Sequence, residues 1–243
     1  MIAVYKKEIS VFFSTLIGPL IIGLFLLING LLLWSDISSV NILDNAYASM
    51  DTFFFVSPLL FLLFIAAISM RTFSEEYALG TIETLITKPI SVLQLVVSKF
   101  LAIMTFVMIS IIPTLLYVVT IYLIGETPGN LDLAGIVGSY IGLFLLSSIF
   151  ASIGIFSSSL SSNQIVTFIF TIIMSIVFYF GFDLLSEIQF FKSIDVILQK
   201  IGISYHYSFM SKGLLTVSDV IYFISVSTLF LKLSELVILR RTK

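Results

Sequence analysis

The sequence lacks the residues on which most enzyme and metal sites depend. It has no cysteine and a single histidine, His206, so a disulfide or thiolate metal site cannot form, and the H-E-x-x-H pattern of zinc peptidases is absent. No glycine is followed directly by lysine, which excludes the Walker A loop that holds nucleotide phosphates. We therefore predict no catalytic residue, no metal site and no cofactor in this chain.

Charged residues are also scarce. They make up 11% of the 243 residues, whereas apolar residues make up 59%, and the mean hydropathy is +1.17. Because an average soluble domain has about 25% charged residues, this composition predicts an integral membrane protein. The net charge of −2 and the lack of a basic cluster give no indication of nucleic-acid binding.

Long apolar runs dominate what is present. A helix needs about 20 such residues to cross a bilayer, and the runs cover residues 11–34, 53–70, 98–124, 136–156, 165–182 and 220–239. None alternates as outer-membrane barrel strands do, and the first run is too long for the apolar region of a cleaved signal peptide. We predict an all-α integral membrane protein, with six transmembrane helices in a single domain over residues 1–243.

The basic residues indicate the orientation. They concentrate at the termini and between spans two and three, as Lys6, Lys7, Arg71, Lys88, Lys99, Arg240, Arg241 and Lys243. The other loops hold Asp36, Asp44, Asp51, Glu126, Asp132, Glu187, Asp195 and Asp219, with Lys192, Lys200 and Lys212 as exceptions in the last loop. The positive-inside rule then predicts that both termini are cytoplasmic.

Most of the polar chemistry lies between spans two and three, in residues 70–88. Apolar and polar residues are interspersed there at helical spacing. The apolar residues are Phe73, Tyr77, Ala78, Ile82, Leu85 and Ile86, and the polar ones are Arg71, Ser74, Glu75, Glu76, Glu83, Thr84 and Lys88. This spacing is typical of an amphipathic helix, in which one face docks on the rest of the chain and the other face binds another protein. The alternative is an ordinary solvated helix whose charges keep it out of lipid.

Other local patterns predict helix boundaries and packing. Residues 91–94 and 161–164 have the spacing of capping boxes, and Gly18, Pro19 and Pro113 predict kinks within spans. Residues 184–219 are too apolar for a simple linker, so we expect short outer helices before span six. The small residues Gly138, Gly142 and Ala151 of span four predict close helix packing, either within the chain or across a dimer.

Two groups of residues carry a resemblance to a known family. The first is Met70, Arg71, Phe73, Glu75, Glu76, the run 80–83, Leu85, Pro89, Ile90 and Lys99, followed by the six-span layout. It resembles the permease subunits of ABC-2 type transporters, which have a type V exporter-like topology. The second is His206, Lys212, Gly213 and the run 219–223, which is similar to the gliding-motility branch of those permeases.

The resemblance implies two surface helices at the cytoplasmic side. One is a coupling helix that seats in a separate ATPase subunit, with the residues Arg71, Phe73, Glu75, Glu76, Tyr77, Gly80, Thr81, Glu83 and Lys88. The other is an amphipathic N-terminal helix on the membrane surface, with Tyr5, Lys6, Lys7 and Glu8.

The resemblance also implies partners and a function. The partners are two copies of the ATPase subunit, which binds ATP and Mg²⁺, and a second permease chain or a second copy of this one, in the bacterial inner membrane. The implied function is to couple ATP hydrolysis to export or conformational work in a gliding-motility complex. The alternative is a membrane scaffold that transports nothing, or a force-transmitting subunit of a motility or secretion machine.

Overall fold

The computed structural model describes residues 1–35, 41, 42, 48–125, 131–188, 192 and 194–241, and within these ranges the regular structure is entirely helical. The helices are α1 (Ile2–Ser14), α2 (Ile17–Trp34), α3 (Asp51–Ser69), α4 (Ser74–Ala78), α5 (Ile82–Ile86), α6 (Val92–Ile111), α7 (Leu115–Ile124), α8 (Leu133–Leu160), α9 (Gln164–Glu187), α10 (Asp195–Ile201), α11 (Ile203–Met210) and α12 (Val217–Arg241). Four charges used above for orientation, Asp36, Asp44, Glu126 and Lys243, lie outside the described residues.

The described helices include several that are long and apolar enough to cross a membrane. Five stretches qualify: Asp51–Ala78, Val92–Ile124, Leu133–Leu160, Gln164–Glu187 and Val217–Arg241. The bent pair formed by α1 and α2 makes a sixth when it is counted as one span. The predicted class, an all-helical multi-pass membrane protein, is confirmed at this level.

The first apolar run differs from the prediction. Instead of one helix from residue 11, α1 continues to Ser14, and α2 starts at Ile17 after a bend of 66°. Thr15 ends α1 with an extended backbone, and its hydroxyl donates to Val11 O at 3.0 Å. Pro19 falls in the first turn of α2, where a backbone N–H is not needed, so it helps to begin this helix and does not kink its interior.

Met1 and Arg241, the first and last residues that the structure describes, lie at the same end of the bundle, which we call the termini end. There the Ser98 hydroxyl donates to Met1 O at 3.2 Å, and Arg241 Nη1 donates to Ser159 O at 2.9 Å. Because α3 returns to this end, α4 and α5 lie there too. We call the opposite end, with α10 and α11, the far end.

Helix α8 lies at the centre and contacts most of the other long helices. Its glycines allow close approach, since a Cβ on Gly138 would lie 2.7 Å from Gly213 O and one on Gly142 would lie 2.6 Å from Met210 Cβ. Ala151 is fully buried. Gly213 itself turns the chain after α11 with a φ of +80°, which favours glycine. These small residues therefore serve contacts within the chain.

A proline in α3 determines how α11 is attached. Pro58 has no N–H, so the carbonyl of Phe54 one turn earlier lacks its helical donor. The Tyr207 hydroxyl of α11 donates to that carbonyl at 2.7 Å, and Tyr207 is almost fully buried. Helix α11 is thus held on α3 by a bond that the proline makes available.

The predicted helix starts are correct at one site and wrong at the other. At α6, Gln94 N donates to Ser91 Oγ and Ser91 N donates to Gln94 Oε1, both at 3.2 Å, which completes the capping box. At α9 the cap is Asn163, whose side-chain oxygen accepts from Ile165 N at 2.9 Å. Asparagine is among the strongest N-cap residues, which explains why it displaces the serine predicted there. At Pro113 the long third span passes through a 3-10 turn, Ile112–Thr114.

Candidate functional site

A group of buried charges joins three helices at the termini end. Lys99 Nζ of α6 donates to Glu8 Oε1 of α1 at 2.8 Å and to Glu76 Oε1 of α4 at 2.9 Å. It also donates to Thr72 O at 2.6 Å. Lys7 Nζ reaches the same Glu76 oxygen at 3.2 Å. We call Lys7, Glu8, Glu76 and Lys99 the charge network.

The charge network is balanced, and three of its four side chains are buried, whereas Lys7 is exposed. The Lys99 side chain is 1% exposed, and those of Glu8 and Glu76 are each 8% exposed, so each charge depends on its partners for solvation. Burial lowers the pKa of the outer Lys7, but the charges of Glu76 and Glu8 outweigh burial and raise this pKa above its ordinary value. Glu76 Oε2 is buried and has no hydrogen-bond partner among the described residues.

Helix α4 is attached to the bundle by hydroxyl groups from other helices. The Ser158 hydroxyl of α8 accepts from Phe73 N at 2.8 Å and from Ser74 N at 3.0 Å. Ser158 thereby replaces the local N-cap that α4 lacks. The Ser74 hydroxyl lies 2.7 Å from Thr167 Oγ1 of α9, and the Lys99 ammonium lies 4.9 Å from the centre of the Phe73 ring. The base of α4 is therefore connected to α6, α8 and α9.

Two further contacts involve charged side chains around α4. Arg71 makes a two-pronged pair with Glu75, with Nε to Oε2 at 3.0 Å and Nη2 to Oε1 at 3.2 Å. The Arg241 guanidinium, at the end of α12, lies 4.4 Å from the centre of the Tyr77 ring. Cation–π contacts of this kind are attractive, so α12 is also connected to α4.

Beyond α4 the chain projects as an exposed elbow. Gly80 has a φ of +68°, and a Cβ placed on it would meet no atom within 4 Å, so the turn at the elbow favours glycine. Nine exposed residues form a surface that we call the elbow tip: Ala78, Leu79, Gly80, Thr81, Glu83, Thr84, Thr87, Lys88 and Pro89. Leu79 is 69% exposed. Ile82 and Leu85 are buried beneath the tip.

The structure divides the predicted site residues into two groups. Gly80, Thr81, Glu83 and Lys88 lie on the elbow tip. Phe73 and Glu76 lie in the interior, while Arg71, Glu75 and Tyr77 are half-buried. Glu76 was assigned to the outward polar face, and this was wrong because it neutralises the buried Lys99.

The N-terminal helix shows a similar division. Lys6 and Lys7 are exposed, and the Tyr5 hydroxyl lies 2.9 Å from Thr105 Oγ1 of α6. Glu8 was assigned to a surface helix, but it points into the charge network and is 6% exposed. Helix α1 is therefore packed along α6 through polar as well as apolar contacts.

Lys99 and Ser158 were not among the predicted site residues, although Lys99 belongs to the first group of resemblance residues. Lys99 could have been found, because it is the only charge within the apolar residues of α6, and an ionisable residue in a span is a functional candidate by default. Ser158 gives no comparable signal, since it is one of several serines near the end of α8.

A groove lies between α1 and the elbow. It has a volume of about 360 Å³ and is lined by Lys7, Glu8, Val11, Arg71, Thr72, Glu75, Glu76, Leu79, Thr81, Thr84, Leu85 and Lys99. No group of three His, Asp or Glu side chains in the described part of the chain could hold a metal ion. The groove therefore places charged and apolar groups side by side.

The second group of resemblance residues lies at the far end. His206 Nδ1 is 2.6 Å from Asp219 Oδ1, and His206 Nε2 is 2.9 Å from Lys200 O. The ring also stacks on Tyr222 with a centroid distance of 4.0 Å. These contacts join α10, α11 and α12, so His206 has a structural position far from the elbow.

Comparison with known proteins gives one informative result. A family model described as ABC-2 family transporter protein matches residues 6–178, which include α2–α8, most of α1 and the first part of α9. The matched range contains the charge network and the elbow tip. No curated protein matches the chain.

Proposed function

The chain belongs to the ABC-2 transporter family, and from this premise we propose that its elbow tip receives the force that a separate ABC ATPase generates. Proteins of this family are the membrane components of ABC transporters and normally pair with such an ATPase. The observation that supports the proposal is the position of the elbow: an exposed tip stands directly on a base connected to α6, α8, α9 and α12.

The proposed mechanism is mechanical. Closure of the ATPase dimer on ATP would displace the elbow tip, and α4 would transmit the displacement through Ser158 to α8 and through Lys99 to α6. Packed elements move as rigid bodies between discrete arrangements, so spans two and three would tilt and change access to the transport path. The chain contributes coupling and the membrane path, and its partner contributes ATP and Mg²⁺ chemistry.

The remaining parts of the proposal concern the assembly. We place both termini and the elbow in the cytoplasm, because the termini end carries most of the basic residues. Two ATPase copies and two permease chains, identical or different, would form the complex in a bacterial inner membrane. The resemblance around His206 supports a role in gliding motility.

Co-purification tests the proposal. The tagged chain should recover an ABC ATPase from mild detergent, and Glu83→Lys combined with Leu79→Ser on the elbow tip should reduce its recovery at least about tenfold, as expected when a central contact is lost. Asp195→Lys at the far end is the matched control and should leave recovery unchanged. If a wild-type eluate contained structural proteins but no ATPase, the scaffold alternative would replace the proposal.

A further inference from the structure

A second cavity lies at the far end, away from the elbow. Its volume is about 580 Å³, and its walls come from the start of α3, the end of α9, and α10 and α11 with the turn that follows. A cavity of this size is within the range of small-molecule sites. Neither the family match nor the coupling mechanism assigns a role to it.

The polarity of the cavity changes along its length. Asp51, the first residue of α3, and Asp183, one turn before the end of α9, lie at the outer level. Phe55 and Leu59 line the α3 wall one and two turns further in, so Leu59 is about 12 Å from Asp51 along the helix axis. The cavity therefore has a polar end and an apolar end, as an amphiphile requires.

The apolar wall opens onto the outside of the bundle. Phe55 is 73% exposed and Leu59 is 44% exposed, although both belong to a helix that qualifies as a membrane span. A soluble ligand would leave these side chains uncovered. An acyl chain lying along α3 would cover them and remain continuous with the membrane.

The charges at the polar end of the cavity indicate which headgroup a bound amphiphile would carry. Asp51 makes no ion pair or side-chain hydrogen bond among the described residues, and Asp183 uses Oδ2 for the Ser204 hydroxyl, which leaves Oδ1 available. Lys212 also lines the cavity and has no carboxylate partner within the described part of the chain. Two carboxylates suit a cation that donates hydrogen bonds, and the lysine suits a phosphate.

From this arrangement we propose that the far-end cavity binds a zwitterionic phospholipid with a primary amine, phosphatidylethanolamine. Its ammonium would bind Asp51 and Asp183, its phosphate would bind Lys212, and one acyl chain would lie on Phe55 and Leu59. An anionic lipid lacks the cation and would be repelled by the carboxylates. The proposal does not depend on coupling to an ATPase.

Lipid retention tests the proposal. The purified full-length chain is equilibrated in dodecyl maltoside micelles that contain equal amounts of phosphatidylethanolamine and phosphatidylglycerol, and after gel filtration the lipid retained per chain is measured by mass spectrometry. Wild type should retain phosphatidylethanolamine in about tenfold preference, since charge-assisted hydrogen bonds are lost with the anionic lipid. Equal retention of both lipids would overturn the proposal.

Variants and a competitor make the test specific. Asp183→Asn keeps an acceptor for Ser204 but loses the charge, and it should lower phosphatidylethanolamine retention about tenfold; Asp51→Asn should act in the same direction. Asp195→Asn, an acidic residue of α10 outside the cavity, is the matched control and should retain lipid as wild type does. Unchanged retention in both cavity variants, or equal competition by soluble phosphoethanolamine, would overturn the proposal.

Discussion

Replacing Lys99 with methionine should destabilise the protein more than any other single change in the charge network. The substitution keeps a long side chain in α6 but removes the buried ammonium that binds both Glu8 and Glu76. Only the outer Lys7 then remains near the two carboxylates, at 3.2 Å from Glu76 Oε1 and 3.8 Å from Glu8 Oε1. Removing one partner of a buried ion pair costs about 3–5 kcal/mol. Repulsion between the two carboxylates accounts for a similar amount. Their Oε1 atoms bind one ammonium at 2.8 and 2.9 Å, so they lie within about 6 Å of each other, and at an effective dielectric constant of about 20 two such charges repel by about 3 kcal/mol.

A compensated variant separates electrostatics from packing. Lys99→Met combined with Glu8→Gln removes one charge of each sign and leaves the Lys7–Glu76 contact at 3.2 Å in place. We expect this double variant to recover more than half of the stability lost in Lys99→Met. If the loss came from packing around the lysine, the second substitution would recover nothing.

The assay uses the fluorescence of Trp34, which is the only tryptophan in the chain. Its ring packs edge-on against Tyr117 of α7, with a centroid distance of 6.2 Å, so it reports on the bundle far from the substituted site. Unfolding by SDS in mixed micelles gives the free energies to be compared. A loss below about 1 kcal/mol in Lys99→Met, which is in the range of exposed pairs, would show that Lys99 does not stabilise the two buried carboxylates.

A buried hydrogen bond, the backbone of the elbow and the membrane orientation can each be tested by substitutions. Tyr207→Phe should cost about 1–3 kcal/mol in the same assay, because the Phe54 carbonyl loses its donor in the interior; no loss would mean that another group satisfies it. Gly80→Ala should lower ATP-driven activity while insertion is unchanged, because a left-handed backbone costs alanine about 1–2 kcal/mol; unaltered activity would contradict a rigid elbow. In this cysteine-free chain, Glu83→Cys should resist a membrane-impermeant thiol reagent in intact cells and Asp132→Cys should react; the reverse pattern would invert the orientation.

The fold class could be predicted from the apolar runs, because a run of this length forms a helix in lipid whichever other helices it packs against. A helix must satisfy its backbone within itself in hydrocarbon, so the run predicts the helix without knowledge of packing. For the first run, Gly18 and Pro19 predicted a kink but not the end of one helix at Ser14 and the start of another at Ile17. The apolar character continues across residues 11–34. At the break the Thr15 hydroxyl donates to Val11 O, and α1 packs against α6, which are contacts that the apolar character of the run does not reveal.

The site could be predicted only in part for a related reason. A periodicity rule assigns every acidic residue of an amphipathic segment to the outside, and this holds for Glu83. It fails for Glu76 because the partner Lys99 lies 23 positions away, and Glu8 lies 91 positions from the same lysine. Local spacing contains no information on such pairs, so the charge network became visible only in the structure.

The most direct test of the central claim is a photo-crosslink from the elbow tip. A photoreactive amino acid at position 79 replaces an exposed leucine, and a second one at position 195, at the far end, serves as the control. We expect an ABC ATPase subunit to be crosslinked from position 79 and not from position 195. Recovery of the ATPase without a crosslink from position 79, or an equal crosslink from both positions, would contradict the claim that the elbow tip receives the force of ATP hydrolysis.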